Sequence, residues 1–128
     1  MQELVGQDRL SLEDAIMQLQ EAISNACSLK QGLRLQKGDY AVTSITVPEN
    51  CDLTIYSKDR VRILYSGKRN RPMFILKDHS HLRLEEKLEL YYNTNNIQEV
   101  SALMVKKPPT ASFQVSGAVK ISLFSLKQ

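Results

Sequence analysis

From Leu33 onward, apolar residues fall at every second position in short runs separated by polar links. The pairs are Ile45/Val47, Leu53/Ile55, Val61/Ile63, Phe74/Leu76, Leu82/Leu84, Leu88/Leu90, Leu103/Val105, Phe113/Val115 and Val119/Ile121. A period of two is the pattern of a strand with one buried face. The pairs form three groups of three. Ile45 to Phe74 and Phe74 to Leu103 are each 29 residues, and Leu53, Leu82 and Phe113 are separated by 29 and 31. Val61, Leu88 and Val119 are separated by 27 and 31. Repetition at this length predicts a chain wound in rungs of three short strands, each bonded to its equivalent in the next rung, with inward residues stacked into one core. Alternation then sends Thr54, Arg62, Arg83, Glu89, Gln114 and Lys120 outward. The competing architecture is an antiparallel β-sandwich, whose strands also recur roughly every 8–12 residues. A sandwich expects Asn-Gly or Asp-Gly hairpin turns, and neither dipeptide occurs in this chain.

One segment breaks the period of two. In "SLEDAIMQLQEAISNACSLKQG", Leu12, Ala15, Ile16, Leu19, Ile23, Ala26 and Cys27 repeat at helical spacing and define one apolar face. Ser11 suits the N-cap, with Asp14 three residues later; Gly32 is the expected stop, with Lys30 in the last turn. The expectation is a single domain over 1–128, all-β with one N-terminal helix: a capping helix over 11–30 and a coil of strands over 33–126.

"EAISNACSLKQGLRLQKGDYAVTSITVPENCDLTIY" resembles the opening of right-handed parallel β-helix proteins of the pectate-lyase-like type. Gly38-Asp39-Tyr40 matches that family's Gly-x-Tyr turn, and "HLRLEEKLELYYN" resembles a rung closing on an Asn. The resemblance covers residues 12–125 and is one of pattern. It implies a short single-stranded right-handed parallel β-helix of three to four rungs, with its open end capped by the helix. Enzymes of that type hold calcium through acidic residues on an outer sheet, beside an Arg or Lys base. The outward set here, Arg62, Arg83, Glu85, Glu89 and Lys120, contains no cluster of acids on neighbouring rungs and no evident acid–base pair. A non-catalytic binding or assembly module of a cell-surface, secreted or phage-derived structure is therefore favoured over two alternatives, a reduced polysaccharide lyase or hydrolase and a purely structural self-assembling coil. No cofactor or metal is expected.

Composition is that of an ordinary soluble domain, at 42% hydrophobic and 24% charged. No apolar run approaches the roughly 20 residues that span a bilayer. "MQELVGQDRL" has no secretory leader pattern, which leaves a cytosolic protein, a virion component or a domain of an exported chain. Cys27 and Cys51 have neither metal nor redox spacing, and two idle thiols are favoured over a disulfide.

Charge changes the picture more than composition does. The net charge of +3 divides into −4 for 1–56, +6 for 57–83, −3 for 84–103 and +4 for 104–128. The basic density centres on "SGKRNRP", residues 66–72, with Lys68, Arg69 and Arg71. Arg60, Arg62 and Lys77 flank it, and Arg83 lies one rung on. Arginine forks match sulfate, phosphate or carboxylate. The expected ligand set is Lys68, Arg69, Arg71, Arg60, Arg62 and Arg83, for an anionic polymer: a glycan before a nucleic acid. Tyr56 and Tyr65 are candidates to stack on it. The plainer reading of the same stretch is a solvated turn.

Asp78, His79 and His81 in "KDHSHLRLEE" offer two nitrogens and a carboxylate, but no third strong ligand, so a polar link is favoured. "NTNNIQEV" and "KKPPTAS" read as projecting links. "AVKISLFSLKQ" ends the pattern on Ile121, Leu123, Phe124 and Leu126 without a second covering helix, which predicts self-association there.

Overall fold

A computed structural model describes residues 2–4 and 12–127, with side chains described for 18–127. The strands are β1 (Gln2–Leu4), β2 (Leu33–Leu35), β3 (Gly38–Val42), β4 (Ile45–Val47), β5 (Asp52–Tyr65), β6 (Phe74–Leu76), β7 (His81–Asn93), β8 (Val105–Lys106), β9 (Ser112–Val115) and β10 (Lys120–Phe124). The helices are α1 (Leu12–Leu29) and the short α2 (Val100–Met104), the latter preceded by a 3-10 turn at Ile97–Glu99. Strand therefore dominates. Every pairing among the described residues is parallel, unlike the antiparallel sandwich. Seven strands form one sheet in the order β1-β2-β5-β7-β10, with β3 also on β5 and β9 also on β7; β4-β6-β8 form a second.

The register follows the sequence period closely. Ile45 faces Phe74, Leu53 faces Leu82, Val61 faces Leu88, and Leu82 faces Phe113. One equivalence differs: Phe74 faces Val105, while Leu103 lies in α2. Two expected strands of each rung are also fused. β5 runs for 14 residues and β7 for 13, each bent in the middle. In β5 the bend exposes Lys58, Asp59 and Arg60 and shifts the register between Ser57 and Val61. Ser57 is buried there, and its hydroxyl accepts the Asp59 N–H at 3.1 Å. The matching bend in β7 places Glu86 at φ 58°.

Parallel register stacks like on like. Tyr40, Ile63, Leu90 and Ile121 form one column, and Leu33, Ile55, Leu84 and Val115 another. Tyr65 and Tyr92 stack in a third, ring centroids 5.3 Å apart. Their buried members, Tyr40, Ile63, Leu90, Leu33, Ile55, Leu84, Tyr65 and Tyr92, belong to the core.

Helix α1 buries Leu19, Ala22, Ile23 and Ala26 against β2, β3 and β4. Full burial of Leu19 or Ile23 is worth roughly 1.5–3 kcal/mol. Gln20 extends the cover to the backbone of β4: its amide donates to the Thr46 carbonyl at 2.8 Å, and its oxygen accepts the Thr46 N–H at 2.9 Å. The helix stops at Lys30, not at Gly32. Lys30 adopts φ 56°, its N–H bonds the Cys27 carbonyl, and Gln31 N–H bonds that of Ala26, which is a Schellman ending. The expected N-cap, Ser11, lies outside the described residues. So do the side chains of Leu12, Ala15 and Ile16.

Cys27 and Cys51 are joined in a disulfide, which corrects the expectation of idle thiols. The last turn of α1 packs beside the turn before β5, bringing the two Cα atoms to 5.4 Å, within disulfide reach. No helix among the described residues is long and apolar enough to cross a membrane.

Candidate functional site: a basic corner

The six nominated cations divide into two sets. Arg62 lies in β5 directly between Asp39 of β3 and Glu89 of β7, and Glu89 faces Lys120 of β10. The outer face of the sheet thus carries a row of alternating charge. Arg62 bonds Asp39 through two nitrogens, at 2.7 and 2.5 Å. Arg60 forks onto Glu89 at 3.1–3.2 Å. Arg83 donates to Asp52 at 3.1 Å. Each pair joins strands that are neighbours in the sheet but distant in sequence. The Arg60 hydrogen bonds hold the Glu89 carboxyl below its usual range, with Lys120 adding a smaller pull. Arg60, Arg62 and Arg83 therefore already have anionic partners.

Lys68, Arg69 and Arg71 differ. No carboxylate lies within ion-pair distance of them among the described residues. Their backbone, by contrast, is held firmly. The Tyr65 hydroxyl donates to the Lys68 carbonyl at 2.8 Å, and the Tyr92 hydroxyl donates to that of Arg71 at 2.7 Å. Both phenols are buried, which raises their pKa values, that of Tyr92 to about 12. They stay protonated donors at neutral pH. Gly67 permits this arrangement: a Cβ there would lie 2.5 Å from the Tyr65 oxygen. Asn70 turns the loop at φ 64°, and its N–H bonds the Asn93 carbonyl at 3.0 Å.

The next two turns continue the same corner. Asn93 is fully buried; its amide donates to the Leu126 carbonyl at 3.0 Å, and its oxygen accepts the Leu126 N–H at 2.8 Å. Thr94 and Asn95 bond the Asn70 side chain at 2.6 and 2.8 Å. Arg69 reaches Ser125 at 3.4 Å. The corner is thus a rigid polar ladder whose exposed heads, Lys68 and Arg71, are cationic. Glu99 is the nearby acid, bonded to Asn96 at 3.4 Å.

Sequence reasoning took "NTNNIQEV" for a turn without a site and missed that its asparagines hold the basic loop. Asn93 at the end of β7 and Asn70 in the loop after β5 were the available signal. Tyr65 is 3% exposed, so it anchors the loop and does not stack on a ligand. His81 Nδ1 lies 2.7 Å from Ser112 Oγ, while His79 is exposed on a turn at φ 58°. No group of three His, Cys, Asp or Glu side chains able to hold a metal lies together among the described residues. Ile121, Leu123, Phe124 and Leu126, nominated for self-association, are 37–53% exposed.

No protein-family model, curated protein or solved structure matches this chain.

Proposed function

We propose that this chain is a short right-handed parallel β-helix serving as a non-catalytic binding module, and that its basic corner takes an anionic polymer. The winding is supported by parallel partners 22–31 residues apart and by apolar columns running through successive passes. The observation that carries the binding reading is the division of the cations. Arg60, Arg62 and Arg83 are paired with carboxylates, whereas Lys68 and Arg71 are exposed and Arg69 half-buried on a clamped loop with no carboxylate in ion-pair distance among the described residues. A preorganised loop loses little conformational entropy when it binds.

A sulfated or uronate glycan fits better than nucleic acid. The tyrosines of the corner, Tyr65 and Tyr92, are buried, so neither presents the stacking face that single-stranded nucleic acid uses. A non-catalytic role is supported by the same ion pairs: Arg83 and Glu89, which a lyase would use for its chemistry, are engaged with Asp52 and Arg60.

Retention on a heparin column across a salt gradient tests this reading. The intact chain is compared with a Lys68/Arg69/Arg71→Ser variant and an Arg60/Arg62/Arg83→Ser variant, each confirmed as folded by circular dichroism. The loop variant should lose retention, and the salt slope should fall by about one for each phosphate-like contact removed. The paired-arginine variant should elute close to the intact protein. Equal elution of the intact protein and the loop variant would reject the grip.

A further inference from the structure

The outer edge of β10 carries a specification for what would pair with it. Lys120–Phe124 bond β7 on one side, and no strand among the described residues pairs with the other. Two rows run up to that edge. On the outer face the row is Asp39, Arg62, Glu89, Lys120, alternating in sign and stopping on a cation. On the inner face, Tyr40, Ile63 and Leu90 are 0–1% exposed, but the next residue of their column, Ile121, is 42% exposed. Leu123, which sits on Tyr92, is 37% exposed while Tyr92 is fully buried. Beside them lies a groove of about 730 Å³, lined by Met104, Val105, Lys107, Phe113, Val115 and Ile121 among others.

We infer that the β10 edge is a docking site for an extended acidic segment of a partner protein, which adds as a parallel strand. Parallel register assigns the chemistry position by position. An acid lies opposite Lys120, continuing the alternation. Apolar residues lie opposite Ile121 and Leu123, closing the columns, and a small or polar residue lies opposite Ser122. Main-chain bonds supply affinity in such strand addition, and alternate side chains supply selectivity. Charge separates this occupant from a second copy meeting it β10 to β10. Residues 104–128 contain Lys106, Lys107, Lys120 and Lys127 and no acid, so two such edges brought together would repel. The inference rests on the strand register and is independent of the glycan reading.

The test uses the whole chain, titrated by NMR with two short synthetic peptides. One has glutamate–valine–threonine–valine at its centre; the other has lysine in place of the glutamate. The acidic peptide should slow amide exchange in β10 and bind roughly fivefold more tightly than its lysine counterpart, the size of one cross-strand charge pair. Lys120→Glu should invert that preference. Ile121→Asp should abolish binding of either peptide while leaving circular dichroism unchanged. Equal binding of the two peptides, or no binding at millimolar concentration, overturns the inference. So does a dimer by sedimentation that Ile121→Asp returns to monomer, because the edge would then belong to a second copy.

Discussion

At one end of the stacked strands, α1 covers β2, β3 and β4, Gln20 satisfies the Thr46 backbone, and Cys27–Cys51 ties the cover to β5. At the other end, β8, β9 and β10 carry the same alternation with no such cover among the described residues. Tyr40 and Ile121 belong to one column, yet they are 1% and 42% exposed. An alternating pattern declares which face is meant for the core. Whether that face is buried depends on a neighbour from elsewhere in the chain or from another molecule.

The sharpest way to break this comparison is to delete the same atoms inside the column and at its exposed end. Ile63→Ala, in the middle of the column, should cost about 2–5 kcal/mol of stability by urea denaturation. Ile121→Ala should cost less than about 1 kcal/mol, because its side chain is already half in water. Similar losses for the two would mean that the last pass is covered in solution. Removing the covalent tie with Cys27→Ser/Cys51→Ser should cost about 3 kcal/mol, given a sequence separation of 24. The loss should appear in the denaturation midpoint with the β spectrum retained.

Smaller effects separate the corner from the sheet face. Asn93→Ala removes a buried side chain that bonds the backbone of Leu126, and should cost about 1–3 kcal/mol. Exchange of the Leu126 amide should rise with it. Glu89 gives the smallest effect. Its folded pKa is depressed by Arg60, so its contribution is complete above the unfolded carboxyl value of about 4.3 and is lost as pH falls through the lower folded value. Glu89→Gln should flatten the stability profile in that acidic window and lower stability slightly above it, where the intact carboxylate's contribution is complete.

The architecture was largely legible because its signal is repeated. Ile45 to Phe74, Leu53 to Leu82 and Leu82 to Phe113 are true register partners, each read from spacing alone. The equivalence failed where α2 intrudes, since an apolar residue of a short helix such as Leu103 looks like a strand residue in isolation. The candidate site was legible only in part. "SGKRNRP" announced a basic loop, but the neutralisation of Arg60, Arg62 and Arg83 depends on which acid lies beside each across the sheet. An error of one residue in register would place Asp39 on the opposite face from Arg62. The disulfide was hidden for a related reason: 24 residues of sequence do not reveal that the end of α1 and the turn before β5 meet.

The spacing of strand partners also bears on how the chain folds. Separations run only from 22 residues, between Leu33 and Ile55, to 31, between Leu84 and Val115. Closing loops in this range costs nearly the same entropy, since even a doubling of length adds only about 0.6 kcal/mol. No single long-range closure has to precede the others. Once β5 and β7 have met, each further strand can add to a finished template, with β10 among the last to order and the first to fray. Native-state hydrogen exchange should then report a gradient along the stack, slowest at β5 and fastest at β10; uniform rates would instead mark one cooperative unit.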